Sequence, residues 1–365
     1  MRGARCFAVG ERRVVIVDAR MARRRRTGAA TYIHELQRAL VAANPPDLDV
    51  RFVSGPPGLP RRNTLTTLGN LILDLAWQHL VLPLVARKHG ASVIHAPFTW
   101  APMWSPCPRV VTVQDLAFER VPDTFPPAFR RYARLFAKQS ARCATRVITT
   151  STSTARDLTA LYGTPAERIR TIPIGVHADP APSHAPREPF VLAVGEFEPR
   201  KRILELVAAH RTYFAAAPAV PTPCRLVLVG AGGRDEDAVR AAAGPECDMV
   251  GFVDTETLSD LYRRATLLVY PSSYEGFGLP ILEAMAHGCP ALIARNSSLP
   301  EVGGDAARYI ETPTPAGIAQ ALTDALADRP ALVARGEASR AYAAGFAWSR
   351  VADETLAVYR EALRA

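Results

Sequence analysis

The sequence predicts a two-domain α/β protein in which each domain contains a doubly wound parallel sheet. Its 365 residues are too many for one compact hydrophobic core, so two domains are the default expectation. In both halves short apolar runs alternate with helix-like segments, which is typical of parallel strands joined by helices. A segment rich in proline and polar residues, 177–189, separates the two halves. We therefore expect domains at 1–180 and 181–345, followed by a helical segment at 346–365.

The first half contains apolar runs that predict strands and helix-like segments that lie between them. Strands are expected within 12–20, 109–116 and 168–176, helices within 27–43 and 127–144, and a strand that runs into a helix within 145–163. The segment 71–90 is apolar with polar interruptions. We expect a packed helix that ends at Gly90, and the alternative is a helix at a membrane interface.

The second half restarts the same alternation. Residues 266–270 form a short apolar run that predicts a buried strand, and 290–294 predict the next one. Between them Pro280 fits the first position of a helix, where its missing N–H costs nothing, and Gly288 ends that helix. The unit is strand, glycine-rich turn, helix and strand. Such a turn lies at the carboxyl end of a strand, where open parallel sheets bind ligands.

Two carboxylates stand in this unit, within the stretch "PSSYEGFGLPILEAMAHGCP" at 271–290. Glu275 is expected in the turn and Glu283 in the first helical turn. Glu275 could be a solvated loop acid, and Glu283 could simply complement the helix dipole. The functional alternative is that one grips sugar hydroxyls and the other a ribose, since a carboxylate accepts two hydrogen bonds at once. The N–H groups at the start of the helix suit a phosphate.

A basic pair follows the first strand of the second half, in "VLAVGEFEPRKRILEL" at 191–206. Arg200 offers a planar fork to a phosphate, and Lys201 offers a point charge. A solvated pair at a helix start is the alternative, although cations are slightly unfavourable there. That misfit favours a bound anion.

Two further positions lie where open sheets bind ligands. Gln114 and Asp115 end the strand in "VVTVQDLAF", and Gly28 lies between a strand and a helix. Each signal is weak alone, because Asp115 could cap a helix and Gly28 could serve a tight turn.

The net charge of +9 and an isoelectric point near 9.5 admit nucleic acid, an anionic membrane surface or an anionic small molecule as partner. The arginine run at 23–26 is expected to be a solvated loop, with anionic lipid or an acceptor phosphate as the alternative. Six cysteines are scattered without metal-ligand spacing, and the acidic runs at 47–49 and 235–237 are expected to be solvated. We expect no metal site, no transmembrane helix, no signal peptide and a cytoplasmic location.

Several of these motifs together resemble glycosyltransferase family 4, the retaining nucleotide-sugar transferases of the GT-B fold. "YEGFGLPILEAMAHGCPAL" resembles the double-glutamate motif of that family, and "VGEFEPRKR" resembles its phosphate-binding segment. "VITTSTSTARDL" and "IRTIPIGV" resemble the segments that close the N-terminal domain. "FAWSRVADETLAVY" resembles the final helix, which crosses back to that domain. The resemblance covers nearly the whole chain and implies two Rossmann-like domains facing each other across a cleft.

The resemblance also implies roles for the donor side of the cleft. Glu275 would contact hydroxyls of the donor sugar, and Glu283 would hold the ribose. Arg200 and Lys201 would hold the diphosphate, with help from the backbone N–H groups of the turn. Those N–H groups belong to the run Gly276, Phe277, Gly278 and Leu279.

On the other side of the cleft, Gly28 would lie near the phosphates, and Asp115 with Gln114 would face the acceptor. The family commonly has His where this chain has Gln114, and a glutamine cannot take a proton at neutral pH. The resemblance therefore implies a mechanism in which the leaving diphosphate accepts the acceptor's proton. It implies no divalent metal and no cofactor other than the nucleotide-sugar substrate.

The expected function is transfer of a hexose, with GDP-mannose as the preferred donor, to a glycan, lipid-linked or small-molecule acceptor. A UDP- or dTDP-sugar donor is the alternative within the family. Outside it, a glycoside hydrolase also uses two carboxylates, but it has no need of Arg200 and Lys201. A dinucleotide oxidoreductase would rest on the fragment "GAGGRD" alone. A nucleic-acid-binding protein is permitted by charge but supported by no motif, so nucleic acid is not an expected partner. Peripheral contact with an anionic inner membrane face is compatible with the transferase.

Overall fold

Two parallel six-stranded sheets form the centres of the two halves of the chain. The computed structural model describes residues 12–23, 27–56, 58, 64–179, 187–216 and 223–365. Most of the arginine run at 23–26 and most of the proline-rich segment at 177–189 fall outside these ranges. The observed architecture is the α/β, doubly wound arrangement that the alternation of strand and helix patterns predicts.

The N-terminal sheet has the strand order β2-β1-β3-β4-β5-β6, and its neighbouring strands are all parallel. Its strands are β1 (Arg13–Asp18), β2 (Leu48–Val53), β3 (Val93–Ala96), β4 (Arg109–Val113), β5 (Arg146–Thr149) and β6 (Ile169–Thr171). The helices are α1 (Gly28–Ala43), α2 (Thr64–Ala76), α3 (Leu82–Lys88), α4 (Ala117–Arg120), α5 (Pro127–Cys143) and α6 (Thr152–Tyr162). A π-helical turn, Trp77–Val81, joins α2 to α3.

The C-terminal sheet has the order β12-β11-β10-β7-β8-β9, again with parallel neighbours. Its strands are β7 (Glu188–Val194), β8 (Arg225–Val229), β9 (Cys247–Gly251), β10 (Ala265–Tyr270), β11 (Ala291–Ala294) and β12 (Arg308–Ile310). The helices are α7 (Ile203–Ala216), α8 (Glu236–Ala242), α9 (Thr255–Arg264), α10 (Leu279–Ala286), α11 (Leu299–Gly303), α12 (Pro315–Ala327), α13 (Arg329–Ala343) and α14 (Trp348–Arg364).

The central strands are apolar because helices cover both faces of each sheet. Every residue of β10 is buried, and every residue of β11 as well. A strand buried on both faces needs a continuous apolar run rather than an alternating one. This is why the sequence around 266–270 and 290–294 predicts the strands so directly.

The last helix, α14, packs on the N-terminal half of the chain although it follows the C-terminal sheet. It contacts α1 and the strands β3, β4 and β5. In its buried interface, the Tyr359 hydroxyl and His95 Nδ1 are 2.7 Å apart, and His95 Nε2 lies 2.9 Å from the Thr112 hydroxyl. Burial lowers the pKa of His95 to about 3, so its ring is neutral. Near the surface, Arg146 and Arg170 both pair with Glu361.

The segment predicted as a packed helix at 71–90 forms a longer helix over α2, the π-helical turn and α3. Only one face packs on the sheet, through Trp77, Leu82 and Ala86. The stretch Gly69–Lys88 is long and apolar enough to cross a membrane by length and composition, and 22% of it is buried. The sequence predicts no transmembrane helix, and this stretch meets the criteria of length and composition only. Core helices of soluble proteins meet the same criteria.

Both sheets reverse their strand order beside a central strand. In the N-terminal sheet the reversal lies between β1 and β3, and in the C-terminal sheet it lies between β7 and β10. At such a point the connections leave toward opposite sides, which opens a crevice at the carboxyl ends of the strands. Ligand sites are therefore expected after β1 and β3 in one sheet and after β7 and β10 in the other.

Candidate active site

The carboxylate of Glu275 joins the two segments that leave the C-terminal reversal point. Its Oε2 lies 2.9 Å from Arg200, and its Oε1 lies 2.6 Å from the Lys201 ammonium. The Tyr270 hydroxyl, at the end of β10, donates to Oε1 at 3.2 Å and also bonds to Lys201. Glu275 is 8% exposed. The sequence predicted these three charged residues separately, and the fold brings them into direct contact.

Charge decides the protonation of this cluster. Burial alone would raise the pKa of Glu275, but Arg200 and Lys201 outweigh it and lower that pKa to about 2. Burial lowers the pKa of Lys201, an effect that Glu275 opposes. Burial also acts against charged Arg200, but Glu275 and Asp115 more than compensate and raise its pKa. The site therefore holds one carboxylate between two cations, and the charge of Glu275 alone does not neutralise the pair.

Local chain geometry presents the two cations to the crevice. They lie in a short 3₁₀ turn, Pro199–Lys201, between β7 and α7. The Arg200 carbonyl accepts hydrogen bonds from the Ser273 amide at 2.7 Å and its hydroxyl at 3.1 Å. The β7 and β10 loops are thus bonded to each other through the backbone as well as through Glu275.

The glycine-rich turn leads directly into α10. Gly278 has a φ of +107°, which L side chains rarely adopt, and it stands immediately before Leu279, the first residue of the helix. Phe277 is buried. The Ser298 hydroxyl makes bonds of 2.9 Å and 3.0 Å to the carbonyls of Glu275 and Phe277, which fixes the turn. The start of α10 thus lies next to the Glu275 cluster.

Glu283 lies further along α10 than predicted. The first turn of α10 contains no acidic residue, so the placement of Glu283 in that turn is corrected to the second. The helix begins at Leu279, which explains the difference, because Pro280 occupies its second position. The Tyr262 hydroxyl donates to Glu283 Oε2 at 3.0 Å, and burial raises the Glu283 pKa to about 7. Near neutral pH this carboxyl can therefore both donate and accept hydrogen bonds.

The opposite wall of the cleft is the carboxyl end of β4. A Cβ added to Gly276 would lie 2.0 Å from the Gln114 carbonyl oxygen and 2.6 Å from the Asp115 Cβ. The absence of a side chain at Gly276 therefore lets the two domains touch at this point. Asp115 accepts a bond from the Ala117 amide at 3.0 Å, but the N-cap residue of α4 is Leu116, so Asp115 does not cap that helix as the alternative expected. Its charge also acts on Arg200 across the cleft.

Sequence reasoning missed several side chains that connect the domains. Tyr274, next to Glu275, donates its hydroxyl to Asp157 Oδ2 at 2.7 Å, and Asp157 also pairs with Arg120. The Glu301 carboxylate accepts the amides of Thr152 and Ser153 at 2.6 Å and 2.7 Å, at the start of α6. Nothing in the local pattern marks these pairs, because their partners are more than 100 positions apart in the chain.

A pocket lies at the reversal point of the N-terminal sheet, after β1 and β3. Four aromatic residues in its wall define what we call the aromatic pocket: Trp77, Phe98, Trp100 and Tyr132. Asp18, Arg20 and Asp74 add charge, and Arg20 pairs with Asp74 at 2.7 Å. The strand that ends at Asp18 was predicted, but the aromatic residues come from segments without a recognisable motif.

Gly28 begins α1 after the capping residue Thr27. It is exposed, and a Cβ added to it would meet no heavy atom of the described residues within 4 Å. Open space beside Gly28 is compatible with a ligand nearby, and no contact ties it to the Glu275 cluster. Its predicted position near the phosphates remains a prediction, as do the ligand roles of the other site residues.

Two sheets that face each other across a charged cleft define the class of protein. Residues 178–342 match the family model described as "Glycosyl transferases group 1", and residues 26–180 match the model described as "Glycosyltransferase Family 4". The fold is therefore the two-domain α/β GT-B fold, and the chain is a glycosyltransferase. It belongs to glycosyltransferase family 4, and its relatives make it mannosyltransferase-like. Membership favours the transferase over the hydrolase and oxidoreductase alternatives.

Curated relatives include two named mannosyltransferases. The chain is 30% identical over 279 residues to the O-antigen chain mannosyltransferase B of Escherichia coli, covering 69% of this chain and 70% of that one. It is 33% identical to the D-inositol 3-phosphate glycosyltransferase of Acidothermus cellulolyticus, covering 60% and 54%. It is 30% identical to the MMP alpha-(1->4)-mannosyltransferase of Mycolicibacterium hassiacum, covering 62% and 56%. The chain thus spans little more than half the length of the last two relatives.

Solved structures extend the likeness of fold to the whole chain. Sucrose-phosphate synthase from Thermosynechococcus elongatus superposes with a TM-score of 0.74 at 20% identity, covering 96% of this chain and 99% of that one. HepE of Anabaena, in complex with UDP and glucose, superposes with a TM-score of 0.68 at 16% identity, covering 96% and 100%. At these identities the likeness shows the fold alone.

Proposed function

We propose that this chain transfers a hexose from a nucleoside-diphosphate sugar, and that Glu275, Arg200 and Lys201 form the donor site. The observation that carries the proposal is the convergence of both cations on one buried carboxylate at the C-terminal reversal point. A diphosphate bound here would form ion pairs with Arg200 and Lys201 in place of Glu275. The Glu275 carboxylate would then accept hydrogen bonds from hydroxyls of the sugar. Such a ligand satisfies both signs of charge at once.

The same cluster supports departure of the diphosphate. When the bond from the anomeric carbon to the phosphate oxygen breaks, negative charge develops on the leaving diphosphate. Arg200, Lys201 and the backbone N–H groups from Gly276 through Leu279 would stabilise that charge. Glu283, a turn further along α10, would hold the ribose. The reaction as proposed needs neither a divalent metal nor another cofactor.

The acceptor would approach from the β4 side of the cleft. Gln114 cannot act as a base, so the leaving diphosphate would take the proton of the acceptor hydroxyl as the new glycosidic bond forms. Asp115 would help to orient the acceptor, and Gly28 would lie close to the phosphates. We infer retention of anomeric configuration from the family resemblance.

The preferred donor is GDP-mannose: the names of two mannosyltransferase relatives support the mannose, and GDP rests on the family resemblance. A UDP-sugar is the alternative, because one solved neighbour was crystallised with UDP and glucose. The acceptor is proposed to be a glycan or a lipid-linked sugar, since the aromatic pocket offers rings on which a sugar or an apolar group can stack. The proposed location is the cytoplasm, with peripheral contact at the inner face of the membrane.

Mannose transfer can be tested by incubating the enzyme with GDP-mannose or UDP-glucose and a membrane lipid extract. Label from GDP-mannose should enter a product, with release of GDP, and proton NMR should show an α-linked residue, as in the donor. Incorporation from UDP-glucose but not from GDP-mannose would show that the donor is a UDP-sugar. A β-linked product would contradict retention of configuration. Hydrolysis of either donor without transfer would overturn the transferase proposal.

A further inference from the structure

We propose that one apolar face of the N-terminal domain docks onto an anionic lipid bilayer. The docking surface consists of Leu80, Val81, Leu84, Met103, Trp104 and Leu135. This assigns the peripheral membrane contact of the proposed function to a defined surface, and its test does not depend on the identity of the donor.

Several large apolar side chains on this surface are more than half exposed. Leu80 is 59% exposed, Leu84 55% and Leu135 67%. Leu80 and Leu84 stand four positions apart and so project from the same face of the helix. An exposed cluster of this kind indicates an interaction site for a protein or a membrane.

Contacts through His79 hold the parts of the docking surface together. The Met103 amide donates to His79 Nδ1 at 3.3 Å, and the Trp104 indole donates to the His79 carbonyl at 2.7 Å. The His79 ring stacks on Phe136 of α5, with ring centres 5.4 Å apart. Phe136 is the neighbour of Leu135 in the chain. The helix, the loop after β3 and α5 thus meet at His79.

The helix lies against the domain and does not stand free to cross a bilayer. Trp77, Leu82 and Ala86 pack with the strands β1 and β3. The Trp77 indole also donates to Asp18 at 3.0 Å. Removing the helix from this position would expose the sheet beneath it. The geometry therefore points to a helix that rests in the interface with its outer face toward lipid.

Basic side chains flank the apolar surface and favour anionic lipid over a protein partner. Arg87 and Lys88 end α3 and are exposed. Arg131, Lys138 and Arg142 are exposed on α5, which also carries Leu135. A half-exposed tryptophan completes the pattern, because its ring is apolar and its N–H is polar. Apolar insertion with adjacent cations matches the charge of an anionic bilayer surface.

Docking would bring the membrane close to the aromatic pocket. Trp77 and Gln78, in the wall of that pocket, belong to the same π-helical turn that carries Leu80 and Val81. An acceptor held in the bilayer by an apolar chain could present its polar head there. This consequence rests on the proposed transferase function, whereas docking itself does not.

Vesicle co-sedimentation tests the proposal with the full chain. Wild-type protein should sediment with mixed phosphatidylcholine and phosphatidylglycerol vesicles, and less with pure phosphatidylcholine vesicles or at high salt. The double variant Leu80→Glu/Leu84→Glu should bind mixed vesicles at least about tenfold more weakly, because it places charge where lipid is contacted. The double variant Arg131→Glu/Lys138→Glu should bind mixed vesicles about tenfold more weakly than wild type and should bind pure phosphatidylcholine vesicles equally well.

The matched control is Val41→Glu/Val333→Glu, since Val41 is 64% exposed and Val333 58% exposed, away from the docking surface. It should bind vesicles as wild type does. All variants should bind nucleotide as wild type does, which separates failure of docking from failure of the donor site. No sedimentation of the wild type, or equal loss in the control, would overturn the proposal. So would undiminished binding by the Leu80→Glu/Leu84→Glu variant.

Discussion

Glu275 balances two cations in the structure, and that balance gives the residue two separable effects. Its charge neutralises part of Arg200 and Lys201, and its oxygens are placed to meet hydroxyls of a donor sugar. A diphosphate would supply the same neutralisation from the ligand side. Loss of the carboxylate charge should therefore affect turnover and nucleotide affinity in different ways.

We expect Glu275→Gln to reduce kcat about a hundredfold, because bonds to the sugar hydroxyls lose their charge in the transition state. Nucleoside diphosphate should bind equally well or more tightly, since the two cations then lack their carboxylate partner. Turnover assays and calorimetry on the same preparation measure both. Glu256→Gln, at an exposed position on α9, is the control and should change neither quantity. A parallel loss of nucleotide binding would contradict this account.

Glu283 should make stability depend on pH in a definite direction. Burial raises its pKa from 4.5 to about 7, so between those values the folded protein holds a proton that the unfolded chain releases. Its contribution to stability is then fully present below about pH 4.5 and is lost as pH rises to about 7. The Glu283→Gln variant cannot titrate at this position. Its free energy of unfolding should therefore lack the decrease with rising pH that Glu283 causes in the wild type, which is on the order of 2 kcal/mol.

Urea denaturation at about pH 5 and about pH 8 measures the difference between Glu283→Gln and wild type. Glu275 provides an internal comparison of opposite sign, because its pKa is lowered to about 2. Its stabilisation is present above about pH 4.5 and is lost as pH falls toward 2. The same pH dependence in Glu283→Gln and in wild type would refute the assignment of a raised pKa to Glu283.

At the scale of single elements, Gly276 joins the β10 turn to the end of β4. Gly276→Ala would place a methyl group against the Gln114 carbonyl, so the domains would have to move apart. We expect stability to fall by roughly 1–3 kcal/mol and turnover to fall more than nucleotide binding. Denaturation and steady-state kinetics test this.

Gly28→Ala is the matched control, because no atom in the described part of the chain would contact a Cβ at Gly28. Alanine there should leave stability unchanged or slightly raise it. Equal destabilisation by Gly28→Ala and Gly276→Ala would show that close domain contact does not explain Gly276. Reduced activity in Gly28→Ala at unchanged stability would support the predicted position near the phosphates.

Elements whose signals are local could be predicted from the sequence. The β10, α10 and β11 unit follows from an apolar run, a glycine-rich turn, a proline and a second apolar run. Arg200, Lys201 and Glu275 could be named because each stands beside such a signal. The start of α10 was displaced by one residue, since proline is accepted at more than one position in the first turn. That shift moved Glu283 out of the first turn.

Other features depend on elements that are distant in the chain. The bond between Tyr274 and Asp157 requires the two domains to be docked, so periodicity within either segment carries no sign of it. The exposure of Leu80 and Leu84 depends on which face of a largely apolar helix meets β1 and β3. Apolar composition alone predicts burial of such a helix, which is why the packed alternative was favoured.

At the scale of the whole molecule, Glu301 connects the domains because its carboxylate accepts hydrogen bonds from two backbone amides at the start of α6. A carboxylate at a helix N-terminus is favourable on charge as well as hydrogen bonding. Glu301→Gln should therefore loosen the contact between the domains, lower turnover about tenfold and leave nucleotide affinity nearly unchanged.

Small-angle scattering measures the radius of gyration, which should be larger in Glu301→Gln than in wild type if the domains move apart. Glu256→Gln again serves as the control. A variant that keeps the wild-type radius and full turnover would show that the Glu301 contact does not hold the domains closed.

The central claim is that Arg200, Lys201 and Glu275 form the binding site of a nucleoside-diphosphate sugar. Calorimetric titration with GDP, UDP, dTDP and ADP, with and without EDTA, tests it most directly. We predict that one nucleotide, GDP by preference, binds with a micromolar Kd that EDTA does not change. Lys201→Ala should weaken that binding about tenfold or more, whereas Lys88→Ala should not. Absence of binding to all four nucleotides, or wild-type affinity in Lys201→Ala, would contradict the account.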